Sequence, residues 1–141
     1  MSPWRATSAN VPAGIPADTE NSFSLSGVRL PMRTSYVTSK QGVMGLTQNL
    51  ARELGPSGIR VNAILPGLID NARGRALVQR AADEAGVPFA DAEAEALRYI
   101  SMRCWIDPHE VGDLAVFLAS NAARHISGQC IGVCGNAEWE E

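Results

Sequence analysis

Clustered cations, long apolar runs and a cysteine framework are all missing from this 141-residue sequence. Twelve Lys and Arg residues against fifteen Asp and Glu give a net charge of −3. Nucleic-acid binding depends on clustered cations that neutralise phosphates, so we expect no nucleic-acid partner. No apolar run approaches the roughly 18 residues of a membrane span, and residues 1–20 lack the apolar core of a signal peptide. The sequence therefore predicts a cytoplasmic protein without a membrane partner.

The three cysteines are too few, and odd in number, for a disulfide framework, which predicts reduced thiols that act as small core residues. Cys130 and Cys134 stand an even number of residues apart, so in a strand they would face the same side. A metal site would need further ligands, and His125 is a poor third one. We therefore expect no metal.

The chain has room for one domain, and its N-terminal part has a different composition from the rest. Residues 1–21 are rich in Pro, Ala, Ser and Asn and show no sustained period, which predicts an irregular or disordered lead-in. The interpretable domain is residues 22–141.

A long helix is predicted from Thr34 or Ser35, both good N-cap types, to the Gly55-Pro56 pair that ends it. Its apolar residues recur at spacings of three and four and predict one buried stripe, made of Val43, Leu46, Leu50 and Leu54.

The remaining patterns predict alternating strands and helices. Residues 59–65 form a short buried strand closed by Pro66-Gly67, and "SGQCIGVCG" forms a second strand. Between them, "RALVQRAADEAG" is helical as far as Gly86, and "DAEAEALRYISMR" is helical again. A third helix follows an Asp107 N-cap, with Pro108 first in the helix and Glu110 completing a capping-box pattern. Strand, helices, strand is the order of a parallel α/β unit.

The stretch "SYVTSK" sets Tyr36 one helical turn ahead of Lys40. The pair alone is weak evidence, but "YVTSKQGVMGLTQNLARELGPSGIRVNAILPG" runs on without a break and is followed by "DPHEVGDLAVFLAS" and "SGQCIGVCG". Together these motifs, from Ser24 to Gly135, resemble the C-terminal half of a short-chain dehydrogenase/reductase. The resemblance implies an incomplete Rossmann-like, doubly wound parallel sheet.

The resemblance also implies an activity for the pair: interconversion of an alcohol and a ketone or aldehyde with NAD or NADP as cofactor. Tyr36 would pass a proton to or from the substrate oxygen, and Lys40 would hold the ribose hydroxyls of the nicotinamide cofactor. The physical argument agrees with these roles. A phenol with an ordinary pKa of about 10 is a poor base at neutral pH, and a cation one turn away favours its ionised form.

Other site residues follow from the same resemblance. The family's catalytic serine matches Ser24 with a one-residue gap, and Ser22 and Ser26 lie close enough to compete for the role. Pro66, Gly67 and Ile69 match the turn where backbone groups meet the nicotinamide carboxamide. The threonine usually found just beyond them is replaced here by Asp70-Asn71.

Nothing upstream of Ser24 resembles the family's strand and glycine-rich turn, which bind the cofactor's pyrophosphate. Two hypotheses follow. The chain is the catalytic half of an oxidoreductase, as a truncated product, a gene-model fragment or a remnant. Alternatively, it is a non-catalytic remnant that associates with a full-length relative through the helix near Ser35 and the final strand. Both hypotheses predict association, either as a homo-oligomer or with that relative.

Overall fold

The computed structural model describes residues 34–137 of the chain. Four helices and two strands occupy this range, in the order α1 (Thr34–Leu54), β1 (Ala63–Pro66), α2 (Ala72–Ala85), α3 (Phe89–Leu97), α4 (Pro108–Ala119) and β2 (Cys130–Val133). Short 3-10 turns at Gly55–Ser57 and Asn121–Ala123 follow α1 and α4. The expected lead-in and the domain start at residue 22 lie outside the described residues.

The two strands form one parallel sheet, in a register that runs from Ala63 opposite Cys130 to Pro66 opposite Val133. Parallel strands need a long crossover, and α2, α3 and α4 provide it. Helices α1 and α4 both contact β1. The predicted α/β class and partial Rossmann-like architecture are therefore confirmed.

Both strands are shorter than the sequence pattern suggested. β1 begins at Ala63 rather than at Ile59, because side chains interrupt the ladder upstream of it: Asn62 Nδ2 donates to the carbonyl of Ile126 at 2.9 Å, and the N–H of Val61 donates to Ser127 Oγ at 3.2 Å. One backbone bond, from the N–H of Gly128 to the Val61 carbonyl at 2.7 Å, remains there. β2 ends at Val133, so Cys134 lies beyond the strand. The prediction that Cys130 and Cys134 share a strand face is therefore wrong.

Helix α1 ends where the Gly55-Pro56 pair predicted, but its predicted apolar stripe is only partly covered within the described residues. Val43 is 52% exposed and Leu46 is 56% exposed, whereas Thr47 is buried, with its hydroxyl donating to the carbonyl of Val43 at 2.8 Å. The C-terminal half of the stripe, Leu50 and Leu54, is half-buried, whereas an apolar surface stays open around Val43 and Leu46.

Helix α4 follows its sequence signals. Asp107 Oδ1 accepts the N–H of His109 at 2.8 Å, and Glu110 Oε2 accepts the N–H of Asp107 at 2.7 Å. Pro108 lies in the first turn, where no N–H is needed. The predicted capping box is confirmed, and it fixes the start of the helix that contacts β1.

Helices α2 and α3 cover the crossover region. Asn71 caps α2, and Gly86 ends it in the left-handed conformation with φ of 66°. The second predicted helix, expected to reach Arg103, stops at Leu97, and Arg103 itself has a φ of 51° that no helix allows. Ile100 is fully buried instead and forms a bridge with Ala137.

The described core is small. Its buried apolar members are Leu68, Val78, Ala82, Ile100, Ile106, Leu118 and Ala123. Among residues 34–137, no helix is long and apolar enough to cross a membrane.

Candidate functional site

Tyr36 and Lys40 lie in the first two turns of α1 and face each other. The Lys40 Nζ atom lies 5.4 Å from the centroid of the Tyr36 ring, within the range of a cation–π interaction. Both side chains are half-buried, and Ser39 Oγ donates to the Tyr36 carbonyl at 2.7 Å. Lys40 is the only lysine of the chain. The helix thus presents a phenol and an ammonium group side by side, both accessible in part.

The predicted turn residues lie at the carboxyl end of β1. Pro66 is the last residue of the strand, and the N–H of Gly67 donates to the Val133 carbonyl at 2.8 Å. A Cβ at position 67 would lie 2.7 Å from the Cα of Cys134. Only glycine lets the two chain segments approach this closely where the parallel strands end.

The tyrosine–lysine pair and this turn lie toward the same end of the β1–α1 layer. The chain reverses after α1, with the N–H of Ile59 bonded to the Leu54 carbonyl at 3.3 Å. The helix from residue 40 to residue 54 is about 21 Å long, and the extended chain from residue 59 to residue 66 is about 23 Å long. After the reversal, the chain therefore returns over nearly the full length of this part of the helix. Because α1 packs on β1, its N-terminal turns lie toward the carboxyl end of the strand. In open α/β sheets, ligands bind outside this end.

A pseudo-strand pairing continues the sheet beyond Gly67. The N–H of Ile106 donates to the Leu68 carbonyl, and the N–H of Asp70 donates to the Ile106 carbonyl, both at 2.8 Å. Ile69 and Ile106 form a parallel bridge, and both Leu68 and Ile106 are buried. The backbone of the Leu68–Asp70 turn is therefore held by the segment that precedes α4.

Arg75 is the centre of a polar cluster around this turn. Its Nε and Nη2 atoms each donate to one oxygen of Asp70 at 2.8 Å, and its Nη1 donates to Glu93 Oε1 at 2.7 Å. The same Glu93 oxygen accepts Trp105 Nε1–H at 2.8 Å, and the Arg75 guanidinium lies 4.3 Å from the centroid of the Trp105 ring. The hydrogen bonds from Arg75 hold the pKa of Asp70 below its ordinary value, and those to Asp70 raise the pKa of Arg75. Both groups are therefore charged at neutral pH.

The first turn of α2 packs directly against Ile69. Asn71 Oδ1 accepts the N–H of Gly74 at 2.8 Å. Asn71, one of the two residues that replace the family's usual threonine, therefore caps α2. Gly74 is buried, and a Cβ there would clash with the Ile69 carbonyl oxygen and lie 3.1 Å from a carbon of the Trp105 ring.

Gly74→Ala is expected to destabilise the fold, because the added methyl group would push a backbone oxygen aside. Overpacking of this kind costs about 1–3 kcal/mol. Gly112→Ala in α4 is the matched control, since nothing lies within 4 Å of a Cβ there, and it should stabilise by about 0.5–1 kcal/mol. Urea unfolding followed by circular dichroism compares the two variants. Equal stability of both variants would contradict the packing described for Gly74.

The structure brings together some of the predicted site residues and leaves others untested. Tyr36 and Lys40 are adjacent, and Pro66, Gly67 and Ile69 form one turn. Ser24 and its alternatives Ser22 and Ser26 lie outside the described residues. No group of His, Cys, Asp and Glu able to hold a metal ion occurs among residues 34–137.

Sequence reasoning missed the cluster formed by Arg75, Glu93 and Trp105. Arg75 and Glu93 are 18 positions apart, and Glu93 and Trp105 are 12 apart, so no helical or strand period links them. The cap at Asn71 had a local signal, since an asparagine directly precedes the helical pattern.

Comparison with known proteins places these residues in a family context. A family model described as enoyl-(acyl carrier protein) reductase matches residues 20–135. The chain is 38% identical over 103 residues to (3R)-3-hydroxyacyl-CoA dehydrogenase from Canis lupus familiaris, which covers 73% of this chain and 36% of that protein. It is 35% identical over 105 residues to the 3-oxoacyl-[acyl-carrier-protein] reductase FabG of Thermotoga maritima, which covers 74% of this chain and 38% of that protein.

A solved structure agrees with these matches. Actinorhodin polyketide ketoreductase, crystallised as a variant with NADPH, superimposes with a TM-score of 0.71 at 26% identity, covering 79% of this chain and 43% of that one. The chain therefore spans less than half the length of these relatives. Within that span the sequence motifs, the parallel sheet and the family match agree, and the chain belongs to the short-chain dehydrogenase/reductase family.

Proposed function

We propose that this chain carries the proton-transfer half of a cytoplasmic, NAD- or NADP-dependent oxidoreductase that interconverts an alcohol and a ketone or aldehyde. The observation that supports the proposal is the Tyr36–Lys40 pair, with Nζ 5.4 Å from the ring centroid, on the helix that packs against β1. The ammonium group thus lies within cation–π distance of the phenol ring, beside the group that would carry the proton.

The residues present fit the nicotinamide-ribose end of such a cofactor. Lys40 offers three N–H donors for ribose hydroxyls, and its partial exposure leaves them accessible. The backbone from Pro66 to Ile69 lies at the carboxyl end of the parallel strands, where it would meet the carboxamide. When bound, the cofactor supplies or accepts the hydride, while Tyr36 donates or accepts the proton at the substrate oxygen.

The residues do not fit the pyrophosphate end. That anion requires a glycine-rich turn and a helix N-terminus, and nothing upstream of Ser24 in this sequence resembles them. We therefore expect weak binding of the whole dinucleotide, with dissociation constants in about the millimolar range. Ser24 remains a proposal as the hydrogen-bond donor to the reacting oxygen.

A fluorescence titration tests the proposal on the purified 141-residue chain. NADH and NADPH are added to several millimolar, and nicotinamide emission is followed for the wild type and for Lys40→Met. Saturable binding that weakens in Lys40→Met is expected, because the substitution keeps the length of the side chain and removes the donors. Absence of saturable binding, or equal binding by both proteins, would contradict the proposal.

A second function is favoured by the open apolar surface of α1. Val43 and Leu46 are exposed side by side on that helix, and single helices in a folded domain usually bury such residues. A non-catalytic module that docks this face on a full-length relative would explain the exposure. In that case Tyr36 and Lys40 would be inherited and would have no role in turnover.

Association of the chain is expected under both proposals, because the apolar face on α1 is costly to leave in water. Size-exclusion chromatography with light scattering should show dimers or larger species. The double variant Val43→Ser, Leu46→Ser should shift the population toward monomer, whereas Val116→Ser, at an exposed apolar position on α4, serves as the control. A monomeric wild type that unfolds cooperatively would contradict this expectation.

A further inference from the structure

Arg75 links the Leu68–Asp70 turn to helix α3 through hydrogen bonds on both sides of its guanidinium group. On one side, Arg75 binds both oxygens of Asp70. On the other, it binds Glu93 in α3, and Glu93 in turn accepts the indole N–H of Trp105. Trp105 directly precedes Ile106, whose backbone is bonded to Leu68 and Asp70.

These contacts form a closed ring. It runs from the turn through Arg75 and Glu93 to Trp105, and back to the turn through the Ile106 backbone. A closed ring restricts each member more than a chain of single contacts, because opening it requires the loss of several bonds at once. Gly74 adds a steric contact inside the ring, since it allows α2 to rest on the Ile69 carbonyl.

We propose that Arg75 is a positioning residue that holds the Leu68–Asp70 turn at the carboxyl end of β1 in the geometry that meets the nicotinamide ring. This inference rests on the proposed function. Its basis is the forked geometry of the guanidinium group, which reaches Asp70 with two nitrogens and Glu93 with the third.

Charge gives Arg75 a second effect on the same turn. Asp70 is 42% exposed and adjoins Ile69, so an unpaired carboxylate there would repel an anionic dinucleotide. The guanidinium, which is shared with Glu93, offsets part of that charge. Arg75 therefore aids cofactor approach as well as holding the backbone.

Amide hydrogen exchange measured by NMR on the 141-residue chain tests the positioning role. The reporters are the N–H groups of Asp70 and Ile106, and the references are the strand-pairing N–H groups of Ala63 and Gly67. The variants are Arg75→Gln, Arg75→Lys and, as the control, Arg80→Gln at an exposed arginine of the same helix.

We expect Arg75→Gln to speed exchange at Asp70 and Ile106 by about three- to tenfold relative to the reference amides, the range for a well-oriented, half-exposed ion-pair network. Arg75→Lys keeps the charge but not the fork, so it should restore little of the protection. Unchanged reporters, equal acceleration of reporters and references, or full rescue by lysine would each overturn the proposal.

Titration of the same variants with NADH separates this inference from the proposed function. A positioning role predicts binding about three- to tenfold weaker in Arg75→Gln than in Arg80→Gln, in proportion to the exchange effect. Faster local exchange with unchanged NADH affinity would overturn the link to the cofactor. A wild-type chain that does not bind NADH would count against the proposed function, and the exchange result would still decide whether Arg75 holds the turn.

Discussion

Replacing Tyr36 by phenylalanine is expected to lower kcat by about 10²–10⁴-fold while cofactor affinity stays nearly unchanged. The substitution removes the hydroxyl that carries the proton and leaves the ring, so the cation–π contact with Lys40 at 5.4 Å can persist. Loss of an interaction that acts only on the reacting oxygen lowers turnover without altering ground-state binding of the cofactor.

Measuring this effect needs a complete fold. The matched segment of this chain can replace the corresponding segment of the Thermotoga maritima reductase, with which it shares 35% identity over 105 residues. The chimera is assayed on the 3-oxoacyl substrate named for that enzyme, with NADH and with NADPH. Tyr99→Phe is the matched control, because Tyr99 is the only other tyrosine in the chain. If Tyr36→Phe keeps most of the turnover that Tyr99→Phe shows, Tyr36 is not the proton carrier.

The 141-residue chain by itself is expected to show no measurable nicotinamide-dependent oxidation or reduction, although it contains Tyr36 and Lys40. Correct positioning of the reactants lowers the activation barrier by about 7–11 kcal/mol, and this positioning depends on a site that binds the whole dinucleotide. Lys40 and the Pro66–Ile69 backbone reach only the nicotinamide-ribose end. The pyrophosphate would lack the amides and the helix N-terminus that usually hold it.

This second expectation is checked with a panel of secondary alcohols and ketones and both cofactors, beside the Tyr36→Phe chain as background. Turnover equal to that background is expected. Turnover clearly above that background would mean that the chain, alone or as an oligomer, binds the pyrophosphate through residues not assigned to this role above.

The ends of helices were predictable from the sequence wherever a capping or helix-breaking residue marks them. The Gly55-Pro56 pair ended α1, and the Asp107, Pro108 and Glu110 pattern fixed the start of α4. Such signals act through hydrogen bonds and backbone restrictions within a few residues, so the rest of the fold barely alters them.

The predictions that were wrong concern residues whose burial or pairing depends on partners distant in the sequence. The spacing of Val43 and Leu46 predicted burial, but burial requires an element to pack against, and none of the described residues covers them. The start of β1 is decided by contacts with residues 126–129, more than 60 positions away, among them the bond from the Asn62 side chain to the Ile126 carbonyl. Periodicity carries no information about such contacts.

The candidate site divides in the same way. The adjacency of Tyr36 and Lys40 was predictable because their spacing is one helical turn, and Lys40 Nζ lies 5.4 Å from the centroid of the Tyr36 ring. The role of Arg75 was not predictable, since its partners Asp70 and Glu93 lie on different elements. The hydrogen bonds of its guanidinium group depend on how α2, α3 and the turn after β1 pack together.

The central claim is that Tyr36 and Lys40 divide proton transfer and cofactor binding between them, and the most direct measurement is the effect of Lys40→Met in the chimera on both kcat and the cofactor dissociation constant. Losing a charged donor to the ribose should raise the dissociation constant about 10- to 100-fold, and losing the adjacent cation should lower kcat as well. Tyr36→Phe should change kcat alone. A Lys40→Met chimera that keeps both values of the parent would contradict the assignment of this pair.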